Sequence, residues 1–276
     1  MAELRAAEVA APDVALAATA PSGAEASNPW QARRTAVPLF ALVHTLASHV
    51  VARQPLVSRF RALRESLTSE GVSGALALRA YEASAEACLR AGDAGEYLKC
   101  QQRLLSQLYP GAAHEEAARW AEFAACGALY FACCSFGGDS AAETACSLRA
   151  IPSHLLRAPP LLCALRALGA LARRDGAAFC AEQAHADATP LMRLLMARRL
   201  PDARRAALAA ASRAFKTLPC AAAVRMLRLP RDEALGPALV AAATAPGAPA
   251  QLVAAAKAFG AAAAPPPELT FAVAAS

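Results

Sequence analysis

The sequence has none of the short motifs that carry common enzyme chemistry. It holds no Gly-rich phosphate loop, no G-x-S-x-G nucleophile turn, no H-E-x-x-H zinc helix and no paired aspartates in a strand-end context. Its 5 histidines are spread along the chain. The 9 cysteines form no two C-x-x-C units, and adjacent Cys133 and Cys134 make a poor chelate, so no zinc ribbon is expected. No signal peptide is read ahead of them, which makes reduced core cysteines of an intracellular protein the expectation. No stretch reads as a membrane span. Ala234 to Ala256 is uncharged, but Pro237, Pro246 and Pro249 interrupt it and Ala is only weakly apolar. These absences assign no catalytic residue, no cofactor, no metal and no membrane. Aromatics are also scarce, at 5% of residues, so few large side chains are on hand to fill a core.

What the chain has in abundance is alanine, which accounts for most of its 57% hydrophobic content. Alanine favours helix and buries little area per residue. An all-α protein with a modest, Leu-based core is therefore expected from the 276 residues.

The most informative stretch runs from Arg79 to Tyr109. Arg79, Glu82, Glu86 and Arg90 fall on one polar face at helical spacing, and Tyr81, Ala85 and Cys88 on an apolar one. Gly92 suits the left-handed residue past a helix end. Asp93 suits the next N-cap, with Glu96 placed for a capping box. A second helix follows with Tyr97, Gln101, Leu104 and Leu108 on one stripe. The pattern is a tight helical hairpin. It is echoed downstream, where Leu171, Asp175 and Phe179 repeat the spacing of Leu89, Asp93 and Tyr97. Two such units suggest stacked hairpins.

Around these hairpins, residues 1–36 read as a disordered Ala-rich tail. Pro38 to Arg53 reads as a helix that Pro55 ends, and Leu56 to Leu67 as its restart. Ala112 to Phe136 reads as one helix carrying Trp120, Phe123, Tyr130 and Phe131, and 140–150 as a short one. Residues 189–200 form a Leu/Met helix. The next, 203–216, carries a stripe of Ala207, Leu208, Ala211 and Phe215. Thr217 to Pro219 is expected to turn into a helix at 220–229. Pro230, Gly236 and Pro237 are then expected to break up the chain. Leu269 to Val273 reads as one short strand.

Net charge is +6, and its placement matters more than its size. Between Pro190 and Arg231 ten Lys/Arg residues face one acid, Asp202. Such a tract suits phosphate or an acidic protein, and equally serves to keep an Ala-rich helix soluble. The residues chosen as the binding surface are Arg198, Arg199, Arg204, Arg205, Arg213 and Lys216. Contacts through them would reach phosphates and not base edges, giving a steep salt dependence.

Several segments in order resemble the PCI family of proteasome-lid, signalosome and translation-initiation scaffolds. The GANP-type branch (germinal-centre-associated nuclear protein and its messenger-RNA-processing relatives) is the nearest in pattern. The residues are Phe60 to Thr68, then Tyr81-Glu82, Ala85, Gly92-Asp93, Glu96-Tyr97 and Cys100-Gln101. Glu122-Phe123 with Leu129-Tyr130 follows, and then Leu191-Met192 through Arg204, Ala207-Leu208, Arg213 to Phe215 and Leu218-Pro219 to Leu227. The likeness covers roughly 56–230. Ser58, Ser66 and Ser84 depart from it, standing where the family prefers an acid, Asp and His.

The resemblance implies a right-handed stack of TPR-like helical hairpins over 37–200. A winged-helix-like end over 201–276 would follow, degenerate after 231. It also implies a non-enzymatic scaffold for protein and RNA contact in nuclear messenger-RNA processing or export, in the nucleus and also the cytoplasm. The implied partners are another PCI-domain protein, a small acidic disordered protein, and RNA held through phosphate. A proteasome-lid subunit, which shares this PCI subtype, is the alternative within the fold. An enzyme with an unrecognised helical active site is the alternative outside it.

Overall fold

The computed structural model describes residues 53–113, 115, 117–134, 140–230, 234–262 and 264–271. The expected N-terminal tail and the helix from Pro38 lie outside them, apart from Arg53. Among the described residues the fold is twelve α-helices and one two-stranded antiparallel sheet. The helices are α1 (Arg53–Ser69), α2 (Ala75–Ala91), α3 (Ala94–Arg103), α4 (Trp120–Cys134), α5 (Ser140–Arg149) and α6 (Pro159–Ala172). Then come α7 (Gly176–Gln183), α8 (Pro190–Ala197), α9 (Leu200–Ala214), α10 (Cys220–Leu227), α11 (Leu235–Ala243) and α12 (Ala250–Ala261). Strand β1 (Thr217–Pro219) precedes α10, and β2 (Glu268–Thr270) follows α12.

The two expected hairpins are present, and their turns share one backbone geometry. Gly92 is left-handed at φ 80°, and Asp93 at φ −81°, ψ 89° caps α3 by accepting from the Glu96 amide at 3.0 Å. In the second hairpin Arg174 is left-handed at φ 56°. Asp175 at φ −86°, ψ 85° accepts from the Ala178 amide at 2.9 Å. Both Asp amides reach five residues back, to Cys88 O and Ala170 O, each at 2.9 Å. These bonds satisfy the last carbonyls of the first helix while the Asp side chain satisfies the first amides of the second. Tyr97 and Phe179, four residues past each Asp, are fully buried.

Burial organises the chain into two large clusters. One runs from Val57 to Ala203 around Tyr97, Tyr109, Phe123, Leu129, Phe179 and Met192. The other runs from Ala207 to Phe271 and contains Leu208, Leu227, Leu235, Leu239 and Leu252. Helix α9 joins them, giving Leu200 and Ala203 to the first and Ala207, Leu208 and Ala211 to the second. A small third cluster of Phe60, Leu63, Leu67, Ala80 and Ala87 seals α1 onto α2.

Five local expectations are corrected. The restart expected at Leu56 is already under way before it, since Arg53, Gln54 and Pro55 belong to α1. The helix expected from Ala112 starts at Trp120, and the described residues before it form turns. An i→i+3 bond from the Trp120 amide to Ala117 O at 2.9 Å tightens that entry. It brings Trp120 flat against Tyr109, with centroids 5.7 Å and planes 6° apart. Phe215 does not join the apolar stripe of α9, because the helix ends at Ala214 and Phe215 is extended and 52% exposed.

The fourth correction is at Thr217 to Pro219, which forms a strand and not a turn. Thr217 pairs with Thr270, Leu218 with Leu269 and Pro219 with Glu268. The strand expected at Leu269 is thus present over Glu268–Thr270 and has a partner. Fifth, the Pro/Gly-rich stretch after 230 holds two helices. Gly236 and Pro237 lie in the first turn of α11, and Pro249 immediately precedes α12. Proline breaks a helix only from its interior, and these prolines all stand at beginnings.

Candidate partner-binding surface

Four of the segments that resemble the PCI pattern, around Arg64, Tyr81, Glu96 to Gln101 and Phe123, bond to one another in space. Phe60, Leu63 and Leu67 bury one side of α1 against α2, which turns Arg64 toward α3. Its guanidinium is 6% exposed and contacts the Glu96 carboxylate and Cys100 Sγ. Lys99 Nζ adds a bond to Glu96 Oε1 at 2.8 Å. Lys99 foremost, then Arg64, holds the Glu96 carboxyl below its ordinary range. Cys100 is the depressed thiol of a close pair, because Cys88, Ser84 and Arg64 all favour its thiolate; Ser84 Oγ lies 3.3 Å from its sulfur. Thr68 Oγ1 meets the Tyr81 hydroxyl at 3.1 Å. Gln101 donates to Phe123 O, over Gly127, where a Cβ would stand 2.9 Å from the amide nitrogen.

A second polar knot lies across α2. The Tyr109 hydroxyl donates to Glu82 Oε1 at 2.7 Å, although Tyr109 follows the short π-helical turn Leu104–Leu108. That turn shifts the register by one residue, its closing bond running from the Tyr109 amide to Leu104 O at 3.0 Å. Arg119 then bridges Glu82 at 3.5 Å, Glu86 at 2.7 Å and Glu122 at 2.8 Å. Burial pushes the Glu82 carboxyl above its usual range despite the tyrosine bond. The face expected to be a solvated stripe is therefore partly internal. Glu86 does pair with Arg90, at 3.0 Å, but Arg119 is its other partner. Arg119 was not singled out by the sequence. The Glu82 and Glu86 spacing is the signal for it, since two carboxylates one turn apart on a packed helix need a shared cation.

Beside the first knot lies a groove of about 600 Å³ between α1 and α3, lined by Arg61, Arg64, Glu65, Lys99 and Arg103 among others. Its cations are partly spent within the fold. Arg61 pairs with Glu65 at 3.2 Å, and Arg103 contacts Gln107.

The six residues chosen in the basic tract divide by use. Arg199 donates to Ala132 O at 3.0 Å and pairs with Asp202 at 3.2 Å, joining α4 to α9. Arg204 donates to Leu227 O at 3.1 Å and Arg228 O at 3.3 Å, placing a cation on the carbonyl end of α10, where the helix dipole favours it. Arg205 pairs with Asp202. Arg199 and Arg204 thus serve the fold, while Arg205 and Asp202 form a surface pair. Arg198 is exposed and touches Cys134. Arg213 and Lys216 are exposed, and they flank the exposed Phe215 at the end of α9 and the start of β1. Arg225 and Arg228 are exposed on the same stretch of chain. Arg198, Arg213 and Lys216 are thus the exposed members of the six. Comparison with protein-family models and with characterised protein sequences finds no match for the chain.

Proposed function

We propose that the chain is a non-enzymatic PCI-type scaffold of the GANP-type branch, acting in nuclear messenger-RNA processing or export. One observation carries this reading: Arg64, Tyr81, Glu96, Cys100 and Gln101, quoted as scattered matches, belong to one three-helix layer and bond within it or to the next helix. A spacing that links buried polar groups across three helices supports a constraint on a specific layer over a chance of composition. The order after residue 200 also supports the reading. Helix, strand, helix, helix, helix and returning strand suit a winged-helix-like end with one helix added.

In this role the chain pairs with another PCI-domain protein and docks a small acidic disordered protein, and RNA phosphates meet Arg198, Arg213 and Lys216. The test is affinity purification of the full chain from nuclear extract. Recovery of a PCI-domain partner with a small acidic protein is expected. Recovery of proteasome lid subunits instead would move the chain to that complex. For RNA, anisotropy with a single-stranded oligonucleotide across a salt series should show a log–log slope that falls by about 0.7 for each phosphate contact removed. Arg213→Ala with Lys216→Ala is expected to lower it by about 1.4 on that basis. An unchanged slope removes these residues from the proposal.

A further inference from the structure

The second hairpin brings together three metal-ligating side chains that the scaffold reading does not use. Cys163 lies early in α6, Glu182 in the last turn of α7, and His185 in the turn that follows. Cys163 Sγ, a carboxylate oxygen of Glu182 and a ring nitrogen of His185 all lie within 4.8 Å of one another. Ligand atoms around tetrahedral zinc stand roughly 3.3–3.8 Å apart, given zinc–ligand bonds of about 2.0–2.3 Å. A small side-chain adjustment closes that difference.

Two further observations point to a cation. Glu182 Oε2 is buried and has no hydrogen-bond partner, while Oε1 is held by Arg166 Nε at 2.9 Å. A carboxylate with one oxygen fixed and the other buried and unmet is oriented for a ligand or a metal. The Asp187 amide donates to His185 Nδ1 at 3.2 Å, and Asp187 Oδ2 lies 3.4 Å from the same nitrogen. Metal binding at Nε2 would move the ring proton to Nδ1, where the Asp187 carboxylate is placed to accept it. The donor set of thiol, imidazole and carboxylate is that of zinc, with three protein ligands and one position left to water.

We propose that Cys163, Glu182 and His185 form a site for a zinc-class divalent cation, with Asp187 and Arg166 orienting His185 and Glu182. Binding forms a metal–sulfur bond and releases the Cys163 thiol proton to solvent. The Asp175 turn sets the offset between α6 and α7, so the metal would lock the open end of the hairpin whose other end the turn already closes.

The test uses the full chain, reduced and stripped of metal, titrated with Co²⁺ and then with Zn²⁺ against a chelating dye. One equivalent should bind and give a thiolate-to-cobalt charge-transfer band. Cys163→Ser should abolish the band, and His185→Ala should weaken Zn²⁺ affinity by more than about tenfold. Cys134→Ser, outside the cluster, should change neither. His185 is exposed, so its variant keeps the fold, checked by circular dichroism, and decides the question even if Cys163→Ser does not fold. Absence of Co²⁺ uptake, or a band and affinity unchanged by His185→Ala, would overturn the site.

Discussion

The α2–α3 and α6–α7 hairpins use the same turn and are held by different means. Each ends its first helix with a left-handed residue, caps its second with Asp, and buries an aromatic ring one turn later. The first is cemented by charge, through Arg64, Glu96 and Cys100 on one side and Glu82, Tyr109 and Arg119 on the other. The second has one ion pair across it, Arg166 with Glu182 at 2.9 Å, and is distinguished by close approach. Gly176, the residue after its capping Asp, packs against the backbone of α9; a Cβ there would stand 1.9 Å from Ala203 O and 2.9 Å from Ala207 N. The equivalent residue of the first hairpin is Ala94, which is exposed. Local sequence decides the turn, and the next element to dock decides what the turn must tolerate.

The largest way to separate the two is to remove the charge cement. Arg64→Ala leaves the Glu96 carboxylate with the more exposed Lys99 and Arg61 and is expected to cost about 3 kcal/mol in urea denaturation. The same variant should also flatten the acid limb of stability. The lowered Glu96 carboxyl contributes stability above the ordinary carboxylate range, and that contribution is lost as pH falls through its lowered folded value. Without Arg64 less remains to be lost. An acid limb as steep as that of the parent would refute this account.

Next is Gly176→Ala, expected to cost about 3 kcal/mol, since the obstructing atoms are backbone and cannot swing away. Ala94→Gly in the first hairpin should change stability by less than about 1 kcal/mol. Equal effects would show that α9 does not seat on the second turn.

The capping aspartates should sharpen the likeness. Asp93→Ala and Asp175→Ala are each expected to cost about 1 kcal/mol, the same within error. Of similar size is the effect of the left-handed residue. Arg174→Gly should stabilise by up to about 1 kcal/mol, and Gly92→Arg should cost about 1–2 kcal/mol, both read as thermal midpoints.

The elements legible in the sequence were those with local causes. The turns at Gly92-Asp93 and Asp175, and the short α8 and α10, follow from capping residues and apolar spacing. The two-stranded sheet was half legible, because Leu269 looks like a strand but nothing near Thr217 announces its partner. The helices after 230 were missed by counting prolines and not their positions. At the surface, two of the six arginines and lysines are tied into the fold and a third sits in a surface ion pair, because charge counts do not reveal that Arg204 caps α10 or that Arg199 and Arg205 share Asp202. The Cys163, Glu182 and His185 cluster was invisible for another reason. Cys163 and Glu182 come together only across the hairpin, and no ligand spacing marks it in the chain.

The pairing of β1 with β2 has a consequence for synthesis. Thr217 and its partner Thr270 are 53 positions apart, and the Cys220 amide also waits on Pro267 O. At about 5–20 residues per second the ribosome needs roughly 3–10 s to make that interval. Helical hairpins close far faster than this. The α2–α3 and α6–α7 layers are therefore formed and waiting, with the Ala207, Leu208 and Ala211 face of α9 uncovered, for seconds before the strand that completes its cover exists.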